Sequence, residues 1–147
     1  MKKGLFAGVA LALAVPALAH HSFAMFDQTR TITWTGVATQ FVAQANHAEL
    51  HFVPLGPDGK AIRDKDGNPL IWGVEMAGAA AVAQQGITVQ AFPAGTVFSV
   101  HLNPLRDGGN FGSRVGAIAK CPKGKFPAPG KNCDSVEGAE ILGGTTF

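Results

Sequence analysis

The sequence predicts a mainly β domain, a small five-stranded OB-like Greek-key barrel with one short helix between strands three and four. Short segments in which apolar and polar residues alternate are separated by turns rich in Gly, Pro and Asn, a pattern typical of half-buried strands. These segments follow the order of an OB-type barrel, with three strands, a helix and two strands. Five strands also fit an irregular sandwich, and that alternative stays open at this stage.

The first two strands carry the clearest alternation. Strand one is predicted over 31–42, where threonines alternate with larger apolar residues, and strand two over 47–53. Because side chains alternate across a strand, strand two has two chemically different faces. Leu50 and Phe52 form its apolar face, and His47, Glu49 and His51 form its polar face.

The remaining elements follow a stretch of turn residues at 56–69. An alanine-rich segment that stops at Gly86 predicts the short helix, since Ala favours helices and Gly commonly ends them. The predicted elements are strand three over 70–76, the helix over 77–85, strand four over 96–102, strand five over 112–119 and then loop with a short apolar return at Ile141 and Leu142.

Residues 1–19 predict a cleavable secretory signal peptide. Lys2 and Lys3 precede an apolar run over 5–15, and small residues then mark a cleavage site between Ala19 and His20. The apolar run is shorter than the roughly 18 to 20 residues that span a bilayer, so we expect no stable membrane anchor after cleavage. The expectation is an exported, periplasmic protein whose residues 20–147 form a single domain.

The charge balance argues against nucleic acid as a partner. The whole chain has 12 Lys and Arg against 10 Asp and Glu, and cleavage would remove Lys2 and Lys3. The remaining chain then has no formal net charge with neutral His. Nucleic-acid binding depends on excess positive charge, so we expect none here.

The two cysteines, Cys121 and Cys133, predict a disulfide that pins a C-terminal segment over 120–147. This segment is rich in Pro, Gly and Lys, and an exported protein folds where disulfides persist. Closing a loop of this size contributes about 3 kcal/mol in the chain-entropy model. The pair does not form a Cys-x-x-Cys motif, so a redox-active site is a distant alternative.

The histidines predict a copper site. Cleavage after Ala19 would give His20 a free α-amine beside its imidazole, and both groups can bind one metal ion. His21 and one barrel histidine would add ligands, and His47 is the preferred one. Nitrogen ligands in a planar arrangement suit Cu(II). The competing interpretation is that these are ordinary polar residues, and it is favoured for His51 and His101.

Residues around the proposed ligands could support the metal. Glu49 and Glu75 are candidate acceptors that would orient an imidazole, and Met25 is a soft ligand for Cu(I). Two other functions stay open. One is a metal-free module that binds an exported protein or a small ligand through a barrel face and the Arg106 loop. The other is an enzyme, either a copper oxidant at the same site or one of an unrecognised kind. It ranks lowest because copper turnover needs an open ligand position and a substrate surface that the sequence does not show, and no hydrolase or phosphate-binding motif is present.

Several short motifs occur together in a fixed order along the chain: His20-His21-Ser22-Phe23, Phe26-Asp27, Gly36-Val37, Asn46-His47-Ala48, Trp72-Gly73-Val74-Glu75 and Asn103-Pro104-Leu105-Arg106-Asp107-Gly108. In these motifs the chain resembles a family of small exported proteobacterial proteins of unknown function whose mature sequences open with His-His-Ser-Phe. The resemblance spans residue 20 to about 112. The chain departs from the family pattern because it lacks a Pro between Asn46 and His47 and has a Cys-containing C-terminal segment. It implies the fold and a role for the opening His pair, and it implies no reaction.

Overall fold

A computed structural model describes residues 23–147, and these form a closed β-barrel. The barrel strands are β1 (Ile32–Val42), β2 (Glu49–Pro54), β3 (Trp72–Glu75), β4 (Val97–Pro104) and β5 (Phe111–Lys120). One short helix, α1 (Ala79–Ala83), connects β3 to β4. The predicted barrel and the position of its helix are therefore confirmed.

The pairing of the strands closes the sheet on itself. β1 is central and pairs antiparallel with both β2 and β4, while β3 pairs with β2 and β5 with β4. The ring is completed by a parallel pairing of β3 with β5. A two-sheet sandwich would lack this closure, so the alternative left open by the sequence is excluded.

The interior is filled by the apolar faces of the strands. Leu50 and Phe52 of β2 are both fully buried, as their alternation predicts. The ring of Phe98 meets that of Phe52 edge-on at 5.2 Å and that of Phe92 at 5.7 Å. Edge-to-face contacts of this kind add to the burial of apolar area. The core is thus built around a central group of phenylalanines.

The C-terminal segment covers part of the barrel's outside. The Cys121–Cys133 disulfide is formed, and both cysteines are buried in a second apolar cluster with Val97 and Ala119. The backbone N–H of Cys133 donates a 2.8 Å hydrogen bond to the hydroxyl of the buried Ser99 on β4. The outer face of β4 is therefore shielded from water over this stretch.

The prediction that this segment is loop is only partly right. It contains a short 3-10 helix, Cys133–Ser135, and a sixth strand, β6 (Glu140–Leu142), that pairs antiparallel with β5. The apolar return at Ile141 and Leu142 is this strand. Three residues are too few to show a recognisable alternation, since the pattern needs at least four.

The predicted signal peptide, its cleavage site at Ala19 and His20, and the ligand His21 lie outside the described residues. Within residues 23–147, no helix is long and apolar enough to cross a membrane.

Candidate functional site

Polar side chains gather on the outer face of the barrel where β2 meets β3. Glu49 lies opposite Glu75, and His51 lies opposite Gly73. Residues that face each other across paired strands project to the same side of the sheet. Their neighbours Leu50 and Val74 are fully buried, so the charged residues must project outward. We call Glu49, His51, Glu75 and the adjacent His47 the histidine–glutamate face.

One histidine of this face is held by a close carboxylate. His51 Nε2 lies 2.9 Å from Glu49 Oε2, and both side chains are about a quarter exposed. An ionised carboxylate can only accept, so Nε2 donates in this bond. In a neutral imidazole, Nδ1 is then the nitrogen left with a lone pair. A histidine oriented in this way is typical of the carboxylate–histidine–metal arrangement.

The second histidine lies in a looser contact. His47 Nδ1 is 3.4 Å from Glu75 Oε1, and His47 is more exposed than Glu75 (43% against 17%). Burial raises the pKa of the Glu75 carboxyl, and the negative charge of Glu49 raises it further, while His47 acts in the opposite direction. A bound cation would stabilise the charged form of Glu75 against both effects.

The segment before β1 is fastened beside this face. Phe26 is buried and forms a backbone bridge with Leu105 in the loop between β4 and β5. The N–H of Asp27 donates to the carbonyl of Pro104 at 2.8 Å, and the N–H of Arg106 donates to the carbonyl of Met25 at 3.0 Å. We call residues 23–30 the lead segment. Its backbone is thus held in place at a loop at the edge of the barrel.

A glycine allows the lead segment and the histidine–glutamate face to lie close together. The ring of Phe111 crosses β3 over Gly73 and packs against Phe26 with the ring centroids 6.3 Å apart. A Cβ at position 73 would lie 2.5 Å from Cε2 of Phe111 and 3.6 Å from Cε1 of His51. The first distance is too short for any side chain. Gly73 therefore lets one aromatic ring connect the lead segment to His51.

The structure separates the histidines of the described region into two groups. His47 and His51 share the histidine–glutamate face, as the alternation predicts, but His47 precedes β2 instead of lying within it. His101 is elsewhere, since its Nδ1 is 2.6 Å from the Thr33 hydroxyl and its ring stacks on Phe147 at 4.2 Å. Among residues 23–147, no group of three or more His, Cys, Asp or Glu side chains is placed to hold a metal ion.

Sequence reasoning missed Gly73 and Phe111 as parts of this site. Gly73 gives a usable signal, because a glycine inside a strand often marks a close approach by another group. Phe111 gives none, since its position beside β3 depends on a parallel pairing between strands that are distant in the sequence.

Comparison with known protein families gives a match over most of the barrel. Residues 9–114 match a family of unknown function, DUF6152. The matched region includes the barrel as far as the middle of β5 and ends before the disulfide. None of the curated proteins matches the chain, and none of the solved structures does. The match covers well over half of the 147 residues, and the chain belongs to this family of unknown function.

Proposed function

We propose that this is an exported periplasmic binding protein that holds one copper ion through its mature N-terminal histidine, His20. His21 and His47 complete the ligand set. Export is supported by the signal-like first 19 residues and by the Cys121–Cys133 disulfide, which suits an oxidising compartment.

The observation that carries the proposal is the position of the lead segment on the side of the barrel that bears the histidine–glutamate face. Phe26 is fastened next to Phe111, and His20 lies six residues before it in the sequence. Residues 23–26 form a turn, since the N–H of Phe26 donates to the carbonyl of Phe23 at 3.3 Å. The three residues before that turn span at most about 10 Å, because each residue covers at most about 3.3 to 3.6 Å. We infer that the N-terminal amine and imidazole lie on this side of the barrel and that the copper site forms there with one histidine of the face.

The chemistry of the face favours His47 as the third ligand. His47 is the more exposed of the two histidines, and its contact with Glu75 is longer than that of His51 with Glu49. Its ring can therefore turn toward an ion at little cost. Glu75 remains close enough to hold the second ring nitrogen, which raises the basicity of the ligand. A bound cation would also stabilise the charged form of Glu75, which burial disfavours.

The test is a Cu(II) titration followed by electron paramagnetic resonance on protein purified from the periplasm, with its N-terminus checked by mass. We expect one tight site with nitrogen hyperfine structure. His20→Ala removes the imidazole that would share the ion with the α-amine and should abolish tight binding. If that variant binds as tightly as the wild type, the proposal is wrong.

The identity of the barrel ligand is tested by two matched variants. His47→Gln should remove one nitrogen from the spectrum, whereas His51→Gln should leave the spectrum unchanged. Both replacements keep a polar side chain next to the partner carboxylate. If His51→Gln alone alters the spectrum, the copper proposal stands with His51 in place of His47.

A metal-free interaction module is the second candidate. It is favoured by the exposed apolar side chains of the lead segment, since Phe23 is 62% and Met25 46% exposed beside the exposed Arg106. Apolar side chains left in water next to a cation are typical of interaction surfaces. Crosslinking in periplasmic extract should then give the same partner after His20, His21 and His47 are replaced. Loss of that product on replacement would contradict this candidate.

A further inference from the structure

A cavity of about 350 Å³ lies between the start of β1, the start of β3 and the loop that joins β4 to β5. Two tryptophans line it, Trp34 from β1 and Trp72 from β3. Apolar side chains complete the wall, and Arg30 and the backbone of Gly108 and Gly109 are also part of the lining. A volume of this size suits a small organic molecule.

The two tryptophans carry hydrogen-bond donors that the protein does not use. Their rings pack against each other with centroids 5.4 Å apart and planes tilted by 54°. The indole Nε1 of each is buried and has no acceptor among residues 23–147. Buried donors without a partner are rare in native proteins. Here two unpaired indole N–H donors belong to tryptophans that contact each other in the wall of one cavity.

Arg30 gives the cavity a positive charge. Its side chain is exposed and makes no hydrogen bond or ion pair with residues 23–147. Its backbone is held on both sides, because the N–H donates to the carbonyl of Asp27 and the carbonyl accepts from Asn103 Nδ2 at 2.7 Å. A guanidinium on a fixed backbone is well suited to bind a carboxylate.

We propose that this cavity binds a small carboxylate with an apolar ring, an aromatic acid being the simplest example. The carboxylate pairs with Arg30, and the ring packs against the indole of Trp34. Both indole nitrogens are enclosed in this structure, so the carboxylate oxygens accept from them only if the two rings turn toward the cavity when the ligand binds. This site is separate from the proposed copper site and does not depend on it.

The chain offers a direct readout, because Trp34 and Trp72 are its two tryptophans. In ¹⁵N-labelled, copper-free protein, the two indole N–H signals report on this cavity, because both tryptophans line it. We expect benzoate to shift both signals in a saturable manner. Benzyl alcohol and benzylamine carry the same ring without the negative charge and should bind at least tenfold more weakly, which is the effect of losing one charge-assisted hydrogen bond.

Variants separate the parts of the site. Arg30→Gln should weaken benzoate binding roughly tenfold, whereas Arg63→Gln, which removes an exposed arginine outside the cavity lining, should leave it unchanged. Trp72→Phe keeps an aromatic ring and removes one donor, so it should weaken binding roughly threefold to tenfold. Unfolding midpoints of the variants establish that they remain folded.

Three results would overturn the proposal. The first is the absence of a saturable shift in either indole signal at millimolar benzoate. The second is equal binding of the acid, the alcohol and the amine, with no effect of Arg30→Gln. The third is binding that occurs only after residues 20–22 are replaced by glycine, because the chain's own N-terminus would then be the occupant.

Discussion

Replacing Phe26 by Ala tests whether the lead segment is held as firmly as its contacts indicate. Phe26 is 1% exposed and packs against Phe111. Burying a phenylalanine contributes about 1.5 to 3 kcal/mol, and each of the two backbone hydrogen bonds between the lead segment and the β4–β5 loop adds about 1 kcal/mol. The lead segment is therefore docked by about 4 kcal/mol.

This docking free energy limits the effect of the mutation. A Phe→Ala change in a core commonly costs about 3 to 5 kcal/mol. Once the lead segment has detached, the mutation can cost nothing more, so the unfolding free energy should fall by about 3 to 4 kcal/mol. The segment should then open on its own while the barrel stays folded.

Urea unfolding and amide hydrogen exchange together measure this effect. The N–H groups of Asp27 and Arg106 should lose protection by roughly a hundredfold, because about 1.4 kcal/mol corresponds to a factor of ten. Phe126→Ala is the matched control, since Phe126 is 57% exposed and its loss should change stability by about 0.5 kcal/mol or less. A Phe26→Ala protein within about 1 kcal/mol of wild type, with both amides still protected, would refute the reasoning.

Three further perturbations follow from the structure. Replacing Cys121 and Cys133 together by Ala should lower the unfolding free energy by about 3 kcal/mol, and equal urea midpoints for the two proteins would contradict the pinning role of the disulfide. Hydrogen bonds from the hydroxyl and N–H of Thr29 lower the pKa of Asp27. The charged carboxylate therefore favours the folded state above about pH 4. This stabilisation is lost as the pH falls through the lowered pKa. NMR titration should show the pKa of Asp27 returning toward its ordinary value in Thr29→Ala, and an unchanged titration would rule out this cause. Gly112→Ala would place a Cβ 2.7 Å from a backbone oxygen of β4, so it should destabilise the barrel by about 2 kcal/mol, and a thermal midpoint equal to that of wild type would show that the strand can move aside.

The strands were predictable because each carries its information locally. Alternation placed Leu50 and Phe52 inward, and both are fully buried. The pairing that closes the barrel was not predictable in detail. It joins β3 to β5, which are distant in sequence, and only the glycine at position 73 indicates the close approach.

In the candidate site, one histidine–carboxylate contact could be predicted from the sequence and the other could not. The contact between His51 and Glu49 follows from their spacing, since residues two apart share a face of a strand. The contact between His47 and Glu75 requires the register of β2 against β3, which the sequence does not specify. The shielding of Ser99 also depends on long-range structure, because the disulfide-linked segment that covers it comes 34 residues later.

The C-terminal segment covers one part of the barrel's outer surface and not another, and the copper site is proposed on the part that it leaves uncovered. Over β4, the C-terminal segment buries Val97 and donates a hydrogen bond to the hydroxyl of Ser99. The apolar surface of that face is therefore covered, and its hydroxyl has a partner, within the chain. Over β2 and β3, the chain leaves two histidines beside two carboxylates, and burial there raises the pKa of Glu75. A face whose charge is destabilised by its own surroundings gains most from a bound cation. The lead segment reaches the barrel beside this second face, and for this reason the proposed copper site combines the opening histidines with a histidine of that face.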